Sequence, residues 1–349
     1  MEHGADIETY QQYSRKKLID FSSNINPLGI PPRLEIKIKD DIGNLVRYPD
    51  IKYRKLKKDV SMYLNCAEEN VIVGNGAVEI IDIFTMIAKR VIVFMPSFSE
   101  YEKRARIHNK EVVSLDLDEN FKIDIEKIKS VIQPDDLLIL GNPNNPTGLR
   151  IDKNTLISIY DIVRENEAIL LLDEAFFEFC PTDYDSIKIF KKNDYLNICI
   201  LRAATKFFAL PGLRLGYGCS SKELVNRVYE IIMPWSVNGI AESIAKHLFT
   251  DKEYILNSKA YVKNERDYLL SELRKLSNIV AYDTDANFIL VKLLHKDEDF
   301  ALHFFLNRGI LIRTCSSFSN IGRNHIRIAI KNHHENSVVV DVFKELNKL

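Results

Sequence analysis

Short, wholly apolar runs punctuate the middle of the chain, at residues 71–73, 91–95, 137–140, 168–172 and 198–201. They are rich in Val, Ile and Leu and apolar at consecutive rather than alternate positions, as in strands buried on both faces. Between them the apolar positions switch to helical spacing. Residues 78–89 bring Ile80, Ile81, Phe84 and Ile87 to one side. Asp152 can cap a helix reaching about Asn166, with Leu156, Ile159, Tyr160 and Val163 inward. Strands and helices alternating in this way predict an α/β domain around a mainly parallel sheet, over residues 45–250.

The C-terminal part follows another rhythm. A long helical pattern at 257–276 precedes strand-like 288–293, a helix near 300–307, strand-like 310–312 and 326–330, and a final helix. This predicts a smaller α+β unit over 251–349. Residues 1–44 include Asn24-Ile25-Asn26-Pro27-Leu28-Gly29, which is loop chemistry, and are expected to pack on that smaller unit.

Composition narrows the range of partners. Of 349 residues, 48 are Lys or Arg and 49 are Asp or Glu, so a net charge of −1 gives no basic footprint for nucleic acid or an anionic membrane. No apolar run approaches the ~18 residues that a membrane span needs. The five cysteines (Cys66, Cys180, Cys199, Cys219 and Cys315) form no Cys-x-x-Cys pair and are odd in number. That points away from a disulfide framework or a zinc site and toward a reducing, cytoplasmic setting.

One segment carries unusual chemistry. Lys206 lies among apolar and small residues in Ala203-Ala204-Thr205-Lys206-Phe207-Phe208-Ala209-Leu210-Pro211-Gly212-Leu213-Arg214. Burial and a nearby cation such as Arg214 both disfavour the ammonium. A lysine that is neutral part of the time can attack an aldehyde and form a Schiff base. Other apolar runs end in candidate ligand groups. Gly74-Asn75-Gly76-Ala77-Val78 opens a helix, whose free N–H groups and dipole would face an anion, although such glycines also punctuate ordinary strand–helix turns. Gly141-Asn142-Pro143-Asn144-Asn145-Pro146-Thr147-Gly148 is, by composition alone, a turn. Asp173 stands where a parallel strand ends, a position that suits either a ligand or a helix cap. The Arg214 guanidinium and the Thr205 hydroxyl could both bind a phosphate.

Together these stretches resemble the pyridoxal-phosphate (PLP) enzymes of the class I and II aminotransferase superfamily, of fold type I. Residues 142–148 match its N-P-x-N-P-T-G signature, and Asn145, Asp173, Lys206 and Arg214 keep the family order, 28, 33 and 8 residues apart. The resemblance spans nearly the whole chain and implies a role for each position. Lys206 would form the Schiff base. Asp173 would pair with the pyridinium nitrogen, making the ring an electron sink. Asn145 would bond the phenolic oxygen, and Gly76, Ala77, Val78, Thr205 and Arg214 would hold the phosphate. Phe98, in Met95-Pro96-Ser97-Phe98-Ser99-Glu100-Tyr101, would cover the ring, although by sequence alone it reads as core. Tyr48, in Arg47-Tyr48-Pro49-Asp50, would reach the phosphate in a neighbouring subunit, which requires a homodimer. Arg327, in His325-Ile326-Arg327-Ile328-Ala329, would grip the substrate α-carboxylate. Two positions depart from the pattern: Ala203 stands where the family has a hydroxyl, and Phe176 where aminotransferases often have Tyr. Asn145 would then hold the phenolic oxygen without a bond worth about 0.5–1.5 kcal/mol.

That cofactor set serves loss of a proton or loss of a carboxylate from Cα equally well. The flanks are more discriminating. Asp20-Phe21-Ser22-Ser23-Asn24-Ile25-Asn26-Pro27-Leu28-Gly29 looks like the N-terminal signature of threonine-phosphate decarboxylases of cobalamin biosynthesis. Gly309-Ile310-Leu311-Ile312-Arg313-Thr314-Cys315-Ser316-Ser317-Phe318 is similar to a second signature of that family, with Thr314 in place of Asp. Histidinol-phosphate aminotransferases share the cofactor set and an arginine like Arg313. Both families take an amino compound bearing a phosphate monoester, so the resemblance implies Arg313 as the phosphate-tail ligand. His3 and Asn26 would assist in the decarboxylase branch. The leading expectation is decarboxylation of L-threonine O-3-phosphate to (R)-1-amino-2-propanol O-phosphate, with Arg327 presenting the carboxylate across the ring plane. Transamination of a phosphate-bearing amine such as histidinol phosphate is the alternative.

Overall fold

The apolar runs become strands in the computed structural model, which describes residues 4–349. In chain order the first eight strands are β1 (Ile19–Asp20), β2 (Val71–Asn75), β3 (Arg90–Met95), β4 (Glu111–Asp116), β5 (Leu137–Gly141), β6 (Ile169–Asp173), β7 (Ile198–Ala203) and β8 (Leu215–Ser220). They are followed by β9 (Ile279–Ala281), β10 (Phe288–Leu293), β11 (Ile310–Leu311), β12 (Arg313–Thr314) and β13 (His325–Ala329). Strands β2 to β8 form one sheet in the order β2-β8-β7-β6-β5-β3-β4. It is mainly parallel, as expected; β8 alone runs antiparallel, to both of its neighbours.

Alternation along each strand feeds two apolar clusters, one on each face. Ile92, Phe94, Leu138, Leu140, Leu170 and Leu172 join one; Val91, Val93, Leu137, Ile139, Ile169 and Leu171 join the other. The helix Lys153–Glu165 packs Leu156, Ile159, Tyr160 and Val163 into the first cluster. Helices Ala77–Ile87 and Lys222–Ile231 pack into the second. Cover on both faces is why the strands are apolar throughout.

Two strands lack that signal. β4 lies at the sheet edge and is only half buried. β8 carries Gly216 and Gly218, which read as turn residues but serve close strand approach. A Cβ at Gly216 would collide with the Gly76–Ala77 backbone, and one at Gly218 with the Ile200 carbonyl.

The smaller sheet is antiparallel, in the order β12-β13-β10-β9. The helix Lys252–Leu273 packs on β9 and on the helix His333–Leu346. The N-terminal stretch spans both units. β1 pairs in parallel with β11, and the Phe21 carbonyl accepts from Ala329 N at 2.9 Å. The helix Pro32–Asp41, by contrast, packs on Gly239–Thr250 of the larger unit. Among the described residues, no helix is long and apolar enough to cross a membrane, and all five cysteines are free thiols.

The carboxyl ends of β5, β6 and β7 stand side by side, Gly141 beside Asp173 and Asp173 beside Leu201. The loops leaving this edge carry the residues singled out from the sequence.

Candidate active site

A cavity of about 380 Å³ opens at that edge. Lys206 lines it, in the turn that follows β7. Its amine is drawn down to about 8, most by burial and next by Arg327; Asp20 opposes, and Arg214 adds least. The sequence pointed to Arg214 as the nearby cation. Arg214 is exposed, so water screens it, whereas Arg327 is buried.

Asp173 ends β6 and faces the cavity. Its Oδ2 accepts from the Tyr101 hydroxyl at 2.8 Å and its Oδ1 from Ala175 N at 3.0 Å. Burial raises the carboxyl pKa, and these two donors pull it back. Tyr101 was not foreseen, because a buried aromatic on a helix reads as core. Its ring meets Phe98 edge-on, with centroids 5.6 Å apart, and both line the cavity. Behind Asp173, Glu174 and Arg202 form a buried ion pair at 2.9 Å that ties the end of β6 to β7.

One end of the cavity suits an anion. Gly76 caps the helix Ala77–Ile87 with φ +79 and ψ 164, a conformation essentially confined to glycine. A Cβ there would collide with the Arg214 guanidinium, so Arg214 reaches over the helix N-terminus. Ala77, Val78 and Thr205 complete the lining at this end, and Ala203 contributes a methyl where a hydroxyl was expected. Free helix N–H groups, a guanidinium and a hydroxyl are the donors that a phosphate requires.

Another part of the cavity is built on β12 and β13. Arg313 and Arg327 are registered directly opposite each other and are 2% and 5% exposed. Opposed like charges this deeply buried are unfavourable without anions between or beside them. Arg327 donates through Nη1 to Asn145 Oδ1, and through Nη2 to the Ser22 carbonyl at 3.1 Å and Asn24 Oδ1 at 3.3 Å. Its Nε is buried without a hydrogen-bond partner among the described residues. Burial, then Arg313, draws its pKa down to about 10. Because the Asn145 oxygen is occupied, its amide N–H₂ is left to serve as a donor. Arg313 donates through Nη2 to Ser317 Oγ at 2.6 Å and lies 5.1 Å from the Phe318 ring centre.

Two of the expected positions that are described do not line the cavity. Asn26, expected to assist in substrate binding, is one. Its Nδ2 donates to the Phe207 carbonyl, Tyr254 Oη and Ser258 Oγ, and its Oδ1 accepts from Leu28 N. The amide is therefore committed within the protein, tying the N-terminal loop to the turn of Lys206. Tyr48 is 80% exposed, rests on Trp235 at 4.7 Å, and does not line its own chain's cavity. His3 falls outside the described residues.

The residues present fit PLP. They supply an amine poised for an aldehyde, a carboxylate for a ring nitrogen, an N–H donor for a phenolic oxygen, and a phosphate cradle that only glycine leaves open. Comparison with known proteins agrees. Residues 16–343 match the aminotransferase class I and II family, and the chain belongs to that family of PLP-dependent enzymes. A Caldanaerobacter subterraneus subsp. tengcongensis protein, provisionally named a threonine-phosphate decarboxylase, is 41% identical over 99% of this chain and 94% of its own. The crystal structure of the histidinol-phosphate aminotransferase from Clostridium acetobutylicum is 36% identical, with a TM-score of 0.90 over 95% of this chain and 99% of its own. The fold is also that of the Sinorhizobium meliloti histidinol-phosphate aminotransferase solved in complex with pyridoxal-5'-phosphate. That structure has a TM-score of 0.88 at 20% identity and covers 99% of this chain and 95% of its own.

Proposed function

We propose that this enzyme decarboxylates L-threonine O-3-phosphate, giving (R)-1-amino-2-propanol O-phosphate and CO₂, as in cobalamin biosynthesis. The observation that carries the reading is the buried pair Arg313 and Arg327, opposed on β12 and β13. A substrate bearing a phosphate and a carboxylate supplies an anion to each arginine at once. Histidinol phosphate has no carboxylate of its own, and in transamination only the keto acid co-substrate would bring one to Arg327.

In this reading Lys206 holds the cofactor aldehyde, Asp173 its ring nitrogen and Asn145 its phenolic oxygen. Arg214, Thr205 and the start of the helix Ala77–Ile87 hold its phosphate, and Phe98 covers the ring. When bound, PLP supplies an electron sink for the charge left at Cα. Arg327 grips the α-carboxylate, with its unpartnered Nε as a further donor. Arg313 holds the phosphate tail, and the two together fix which Cα bond is exposed to cleavage. As that bond breaks, CO₂ departs and Cα needs a proton. Lys206, which lines the cavity, would be the group placed to return that proton.

The exposed residues Val46, Tyr48 and Met233 support a homodimer in which Tyr48 serves the neighbouring cavity. The test of function is incubation of the holoenzyme with O-phospho-L-threonine and no keto acid. Stoichiometric CO₂ is expected. Absence of CO₂, with 2-oxoglutarate-dependent turnover of histidinol phosphate, would overturn the proposal in favour of an aminotransferase.

A further inference from the structure

We infer that Glu298 is a positioning residue for Arg313 and so sets selectivity for a phosphate-bearing substrate. The inference rests on the reading of Arg313 as the phosphate-tail ligand. Glu298 opens the helix Glu298–Leu306 and is 1% exposed. One of its oxygens, Oε2, accepts the backbone N–H of Cys315 at 2.5 Å and of Ser316 at 2.9 Å. A carboxylate this deeply buried is costly unless it is well satisfied, and charge-assisted bonds to backbone N–H groups are among the stronger ones.

What those two bonds hold is the segment that leaves β12 directly after Arg313. Ser317 accepts from the Arg313 guanidinium, and Phe318 lies against it. The far end of the segment is fastened to the larger unit. Ser319 Oγ donates to Glu102 Oε2 at 3.1 Å, and Asn320 Nδ2 donates to Asp116 Oδ1 at 2.6 Å. The strap is therefore tied at both ends, and the two residues between the ties both touch the Arg313 guanidinium. A guanidinium grips a phosphate through two N–H groups only when its plane is fixed. Arg327 is held separately by Asn145, Ser22 and Asn24, so loosening the strap leaves the carboxylate end intact.

The experiment is calorimetric titration of the holoenzyme with 1-amino-2-propanol O-phosphate, which has no carboxylate left to lose, and with 1-amino-2-propanol. Glu298→Ala is expected to weaken the phosphorylated ligand about tenfold or more and to leave the unphosphorylated one unchanged. Glu298→Gln keeps an oxygen able to accept both N–H groups and is expected to stay within about threefold of the wild type. Ser317→Ala is expected to weaken only the phosphorylated ligand, by about three- to tenfold, and it decides the matter if Glu298→Ala does not fold. Wild-type affinity in Glu298→Ala or Ser317→Ala, or equal weakening of both ligands, overturns the role of Glu298. A wild type that binds both ligands alike, or an Arg313→Met variant that still prefers the phosphorylated one, overturns the phosphate-tail reading beneath it.

Discussion

At Lys206 the amine is drawn down to about 8 first by burial and next by the Arg327 guanidinium. The neutral fraction grows with pH, so capture of PLP by the apoprotein should accelerate as pH approaches about 8 and level off above it. The visible absorbance of the bound cofactor follows this directly. Arg327→Met keeps the site dry but removes the cation, and the midpoint of that profile should move up. An unmoved midpoint would mean that burial acts alone. Tyr101 is the second residue to test, since its hydroxyl is one of two donors that offset the rise burial imposes on the Asp173 carboxyl. Tyr101→Phe should lower turnover about two- to tenfold with the fold unchanged, the worth of one hydrogen bond. Unchanged kinetics would reduce Tyr101 to packing. Lys206 and Asp173 were legible in the sequence because each adjoins an apolar strand run. Tyr101 and the influence of Arg327 were not, because both depend on contacts between distant segments.

Among the elements, the junction of β2 and the helix Ala77–Ile87 is the most constrained. Gly76 adopts backbone angles that cost other residues about 1–3 kcal/mol, and the Arg214 guanidinium fills the space where a Cβ would go. The obstructing atoms are the flexible end of a side chain, so Gly76→Ala should displace Arg214 rather than unfold the sheet. The expected result is at least tenfold weaker PLP binding, read by fluorescence titration, with near-native circular dichroism. Retained affinity would separate Arg214 from the phosphate. The glycine-bracketed turn was visible in the sequence; its pairing with Arg214 was not, since β8 brings them together. β8 itself was hidden because Gly216 and Gly218 look like turn residues until the strands around them are assembled.

On the scale of the whole molecule, the apolar side chains at Val46, Tyr48 and Met233 are 86%, 80% and 70% exposed. Val46 is a surface side chain, so Val46→Asp should leave the fold unaffected to within about 0.5 kcal/mol. For the proposed dimer, sedimentation should show a shift to monomer, with faster loss of PLP if Tyr48 serves the neighbouring cavity. A wild type that sediments as a monomer and retains its cofactor would rule this out. The sequence by itself pointed to the α/β sheet and the smaller α+β unit, because strand and helix periodicity are local properties, and its resemblance to a family implied the cofactor set. The tertiary structure decided that Arg313 and Arg327 face each other, that Asn26 is spent inside the protein, and that Glu298 holds the strap beside Arg313. Each of these is a meeting of residues from different elements, and only the register of strands and the packing of the units bring them within hydrogen-bond reach.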